Sequence, residues 1–96
     1  MTEPIGGLRR LPWGGPDGKA AYLLSDDPGG LLALMADSAE ERALETSRDD
    51  CARALALADD DAVSRAELRL AVRWLARAVD EAVNVAELRG ERLSAD

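Results

Sequence analysis

Ninety-six residues with a net charge of −7, no histidine and one cysteine fit one domain and exclude whole classes of function. Nonspecific binding to nucleic acid or to an anionic membrane needs a surplus of Lys and Arg; ordinary zinc sites and histidine-based general-base catalysis need residues that are missing here. Phenylalanine is absent, aromatic residues make up 3%, and the apolar content is mostly Ala, Leu and Val. That suits close helix packing but gives a monomer a thin core, so self-association or a protein partner is expected.

Residues 1–27 read as an N-terminal extended and turn segment, with residues 1–10 loosely held. The opening residues show no basic start followed by an apolar core, so no signal peptide is expected. No run approaches the roughly 18 apolar residues of a membrane span. The cytoplasm is the expected location, in keeping with Cys51 having no partner for an internal disulfide. Eleven arginines against one lysine, with abundant alanine, is the coding bias of a GC-rich, bacterial type of genome and says nothing of function. "LRRLPW" (8–13) and "KAAYLL" (19–24) read as two short strands. "GGPDG" (14–18) between them is turn chemistry: Pro16 presets φ, and Gly14, Gly15 and Gly18 accept positive φ. Pro12 would confine its strand to an edge.

"SDDPGG" (25–30) is a helix start. Asp26 or Asp27 can cap and Pro28 fits the first turn, while Gly29 and Gly30 weaken it, so the start can slip to Leu31. A first helix is expected over about 28–59. The run Asp59–Asp61 disfavours the negative end of that helix, and Ser64 with Glu67 forms a capping box for the next. The second helix is expected over about 64–89, with Gly90 as its stop and 91–96 as a tail. On it Leu68, Val72, Leu75, Val79, Ala82 and Ala86 follow the three–four spacing of a buried stripe, widened by Ala71, Ala78, Val83 and Val85. The fold class is therefore mainly α: two long antiparallel helices over 28–90, a helical hairpin, preceded by a short β-hairpin-like segment. One partner helix cannot bury such broad apolar faces. Two hairpins paired as a dimeric four-helix bundle would.

Arg65, Arg69, Arg73 and Arg77 stand four apart on one face of the second helix, and Asp37, Glu41, Glu45 and Asp49 on one face of the first. If the hairpin turns near Asp61, Asp49 lies level with Arg73 and Glu45 with Arg77. Three readings stay open: two solvated faces, pairing within the hairpin or across a dimer, and an acidic partner such as nucleic acid. "GGPDGK" departs from a phosphate loop, which would need Gly where Trp13 stands and Ser or Thr where Ala20 stands. Asp59–Asp61 lacks the spacing and glycine of a calcium loop. Cys51 falls on an Ala/Leu-rich stretch and is expected in the core. Trp13 and Tyr22 flank the turn, opposite each other if the hairpin forms, and Trp74 sits beside the apolar stripe near Leu70. These aromatics either pack on the helices as a small lid or form a contact surface.

The chain reads as a small non-catalytic protein–protein interaction module, an adaptor, regulator or assembly subunit. It needs no cofactor or metal and would work through its helix faces and the Trp13/Tyr22 segment, with itself or another protein as partner. The alternative is a nucleic-acid-associated regulator that uses the stripe of Arg65, Arg69, Arg73 and Arg77.

Overall fold

The structure, a computed structural model, describes residues 8–24 and 30–95. It is mainly helical. A two-stranded antiparallel β-hairpin, β1 (Leu8–Gly14) and β2 (Ala20–Leu24), is followed by two antiparallel helices, α1 (Leu31–Ala58) and α2 (Arg65–Ala95). Of residues 1–10, expected to be loosely held, Leu8–Arg10 are instead in β1 and paired with β2; the rest of that stretch, the capping residues Asp26 and Asp27, and Pro28 lie outside the described residues.

The β-hairpin closes through a single turn at Pro16–Gly18, where Asp17 (φ 58) and Gly18 (φ 73) both take left-handed backbone. Glycine adopts that region freely, and aspartate is among the residues that tolerate it. The strands pair as Leu8 with Leu24, Arg9 with Leu23 and Arg10 with Tyr22; after an irregularity, Gly14 pairs with Ala20. Three residues of β1 thus face one of β2. Pro12 sits in that stretch and has no N–H to give to the ladder. The bulge corrects one expectation: Tyr22 stands opposite Arg10, not opposite Trp13.

The turn between the helices forms as its residues suggest. The Ser64 N–H donates to Glu67 Oε1 at 3.0 Å and the Glu67 N–H donates to Ser64 Oγ at 3.0 Å, a reciprocal capping box. Asp60 Oδ1 accepts the Ala62 N–H at 2.9 Å. At its far end α2 does not stop at Gly90 but continues to Ala95. Gly90 has no left-handed φ and nothing within 4 Å of where a Cβ would stand. The last turn is instead held by tertiary contacts of Glu91 and Arg92, and these override the glycine's weak helix propensity.

The helices meet through small side chains. Ala33, Ala36 and Ala54 of α1 and Ala71, Ala78, Val85 and Leu88 of α2 are buried, with Leu11 of β1. The α1 row advances by three and four residues and includes Glu40, Ser47 and Asp50, so it is one continuous face. The Ser47 hydroxyl lies 2.9 Å from the Ala43 carbonyl of its own helix and 3.1 Å from the Ala78 carbonyl of the other. Only closely approaching backbones permit that bridge. Close approach also settles which face of α2 turns inward. The expected stripe Leu68–Val72–Leu75–Val79–Ala82–Ala86 is not the buried one; the alanine-rich row beside it is, because small residues let the helices come near. The β-hairpin lies across the helix pair where α1 begins and α2 ends. The molecule is long and thin, 65 × 26 × 22 Å, and among the described residues no helix is long and apolar enough to cross a membrane.

Candidate functional site

Two features stand out: a buried carboxylate clamped by arginines at one end of the helix pair, and an apolar face left open along the rest of it.

The clamp is built on Glu40, which is 0% exposed in the middle of the alanine row. Arg92 donates to both of its oxygens, at 2.8 and 2.9 Å; Arg89 Nε donates at 3.2 Å and Arg9 Nη2 at 3.2 Å. Burial alone would push the Glu40 carboxyl up. Hydrogen bonds from Arg92 and Arg89, the charge of Arg92 and the Arg9 hydrogen bond outweigh burial and hold it below its ordinary value. Arg9 also reaches Asp37 at 2.7 Å, and Arg89 reaches Glu41 at 2.8 Å. On the adjoining strand position Arg10 holds Glu91 in a two-pronged pair, with contacts of 2.7 to 3.1 Å. That hydrogen bond raises the Arg10 pKa and lowers the Glu91 pKa. Three chain segments distant in sequence are thereby fastened together. Each carboxylate of the clamp is paired with an arginine, while Arg9 Nε is buried without a hydrogen-bond partner; the clamp ties three chain segments of the fold together.

The open face is on the half of the hairpin nearer the inter-helix turn. Leu68, Val72, Leu75 and Val79 of α2 remain 40%, 64%, 37% and 59% exposed. On α1 Leu44, Cys51 and Leu55 follow the same spacing, one residue ahead of the buried row. Leu44, Arg48 and Cys51 with Leu75, Val79 and Ala82 line a shallow groove of about 290 Å³ that runs between the helices, apolar but for Arg48 and the Ser47 hydroxyl. Cys51 is exposed there, which corrects its expected place in the core: one helix position turns it from the α1–α2 contact to the rim. Across the contact row, on the other side of the pair, Pro12 and Trp13 of β1 line a groove with Ala39, Arg42, Glu81 and Asn84. The β-hairpin therefore sits toward that side and leaves the Leu75 side open.

The remaining candidates are spread out. Trp13 and Tyr22 are exposed on the β-hairpin. Trp74 is half-buried, and the Arg53 guanidinium lies 5.4 Å from its ring centre, a cation–π contact. The two charge stripes do not pair as the level of Asp61 suggests. Asp50, not Glu45, approaches Arg77, at 3.8 Å, and Asp49 forms no ion pair with Arg73, while Asp37 and Glu41 go to Arg9 and Arg89. The physical cause is register: contacts such as Ser47–Ala78 place α2 several residues further along than a turn centred on Asp61 would. Arg65, Arg69 and Arg73 form no ion pair with a described residue, and they line one shallow depression with Ala66 and Leu70. Among the described residues no group of three or more potential ligands could hold a metal ion.

Sequence reasoning missed the clamp. One signal was present: Glu40 interrupts the row of Ala33, Ala36, Ala43 and Ala54, and a charge inside an alanine row demands a cationic partner. No protein-family model, no curated protein and no solved structure matches the chain.

Proposed function

We propose that this chain is a non-catalytic protein-interaction module whose working surface is the open face of its helical hairpin. One observation carries the reading: the regularly spaced large apolar side chains Leu68, Val72, Leu75 and Val79 face outward, while alanines are spent on the internal contact. Apolar patches of this kind on a soluble surface mark interaction sites. The absence of histidine from the sequence and the pairing of each clamp carboxylate with arginine support a role without catalysis. Trp13, which lines the groove on the opposite side, and Tyr22, exposed on the β-hairpin, offer further contacts. A cytoplasmic setting belongs to the same reading, since the one cysteine is exposed and unpaired among the described residues.

The test is a photo-crosslinking side chain placed at Val79 on the face, and separately at Asp80 off it, in the native host. The expected outcome is a protein adduct from Val79 and none from Asp80. No protein adduct from Val79 overturns the reading.

A second reading, association with nucleic acid, is favoured by one observation, the unneutralised run of Arg65, Arg69 and Arg73. It calls for retention of duplex DNA at low salt that falls steeply as salt rises and is lost on Arg65→Gln, Arg69→Gln, Arg73→Gln substitution. Indifference to DNA at low salt removes it.

A further inference from the structure

We infer that the partner of the open face is a second copy of this chain, and that two hairpins close face to face into a four-helix bundle. The inference rests on the interaction-module reading above and names its partner.

The surface area of the chain is the first ground. A folded monomer of 10.2 kDa exposes about 5,300 Å², whereas this chain exposes 7112 Å². The surplus is roughly 1,800 Å² over the whole chain, and the open face, where Leu68, Val72, Leu75 and Val79 are 40%, 64%, 37% and 59% exposed, is one part of it. Its radius of gyration, 17.5 Å, likewise exceeds the roughly 12.5 Å of a compact domain of this length. The hairpin is shaped like part of a domain.

The pattern on the face is the second ground. Leu68, Val72, Leu75, Val79, Ala82 and Ala86 alternate steps of four and three, the seam of helices that pack side by side at shallow angles. Within the chain that seam has no helix to meet, because α1 meets the neighbouring row of Ala71, Ala78 and Val85. On α1 Leu44, Cys51 and Leu55 continue the same surface at the same level, so the face is two antiparallel helices wide. A single docked helix would cover one groove of it. A partner that covers both helices must itself offer two antiparallel helices with apolar residues at matching levels, and a second copy does so by construction.

Charge and access are the third ground. The seam and groove residues carry no carboxylate, so the −7 of each chain is not concentrated at the contact; Arg48 is the charged side chain of the groove, exposed on α1 and long enough to carry its guanidinium to water at the edge of the contact. The β-hairpin lies toward the other side and the other end, so closure displaces nothing that is folded.

The experiment is sedimentation velocity on the purified full chain across micromolar concentrations, with helicity followed by circular dichroism. The expected result is twice the mass of one chain for wild type. The double variant Leu75→Glu, Val79→Glu should sediment at the mass of one chain with its helices retained. Should that variant lose its helices, Leu75→Ala, Val79→Ala serves in its place, with dimer dissociation expected to be at least about tenfold stronger. A wild-type chain that stays folded at the mass of one copy overturns the inference. So does a folded variant that dimerises as tightly as wild type. If the pure chain is monomeric while the Val79 crosslinker captures a different protein, only the second-copy inference fails. If the crosslinker also captures nothing, the interaction-module reading fails with it.

Discussion

Arg92 holds both carboxylate oxygens of Glu40, Nη2 to Oε1 at 2.8 Å and Nη1 to Oε2 at 2.9 Å, from the helical turn that lies beyond Gly90. The contact joins the first half of the chain to its last few residues, and Arg9 and Arg89 complete it from β1 and α2. Removing the shared carboxylate would leave three guanidinium groups crowded around a neutral buried site. Two of them, Arg89 and Arg92, keep access to water, and this moderates the loss. Glu40→Gln is expected to destabilise the fold by about 2 to 4 kcal/mol, measured by urea unfolding at neutral pH. A loss under about half a kcal/mol would show that the clamp is ornamental to stability.

Acid should act through the same residues. The folded-state pKa of Glu40 is lowered from 4.5, against the burial that would raise it, by Arg92, Arg89 and Arg9. Glu91 is lowered by the Arg10 hydrogen bond. A carboxylate with a depressed folded pKa contributes stability that is fully present above its unfolded value and disappears as pH falls through its folded value. The urea midpoint should therefore be level from neutrality down to about pH 5 and drop below it. In Glu40→Gln the drop should be shallower. Equal pH slopes in wild type and variant would assign the acid sensitivity to other groups.

The parts of this structure that could be read from sequence are those set by local chemistry. The helix break follows from Asp59–Asp61 and the Ser64–Glu67 box, and the β-hairpin from the turn residues between Trp13 and Ala20. The parts that could not are set by how elements sit against one another. Periodicity on α2 supplies two candidate rows, Leu68–Leu75–Ala82 and Ala71–Ala78–Val85, only one step apart. Side-chain size favoured the first, whereas close approach to the alanines of α1 selected the second. The same one-step ambiguity hid Glu40 behind its neighbour Glu41 and placed Cys51 inside. The ion pairs depend on axial register between the helices, which the six-residue turn sets and no single helix records. Trp13 and Tyr22 were misaligned because a bulge at Pro12 changes the count of residues on one strand.

Asp50 is a cost left in the contact row. It is buried between the helices, its Oδ2 has no hydrogen-bond partner, and the Arg77 guanidinium is 3.8 Å away, too far to donate. A buried polar atom without a partner is unfavourable, and aspartate is a poorer helix former than alanine. Asp50→Ala makes the row uniform with Ala54 and is expected to stabilise the chain by about 1 kcal/mol. Thermal and urea unfolding at neutral pH read this directly. A loss of stability instead would mean that Asp50 is paired in solution, with Arg77 closing the gap.

Gly90 offers a test of the helix end that separates two readings of the same residue. As a helix stop it would adopt a left-handed backbone, where a side chain is strained and alanine costs stability. In the structure it lies inside α2, without positive φ and with open space where a Cβ would stand. There glycine only loosens the unfolded chain and weakens the helix, so Gly90→Ala should stabilise by about 0.5 to 1 kcal/mol. The gain should depend on the clamp, because Arg92 and Glu91 beyond Gly90 hold the last turn against Glu40 and Arg10. In a Glu40→Gln background the end of α2 is free to fray, and Gly90→Ala should then recover less in urea unfolding than it does in wild type. Destabilisation by Gly90→Ala in the wild-type chain would instead put the end of α2 at Arg89 and detach Arg92 from Glu40.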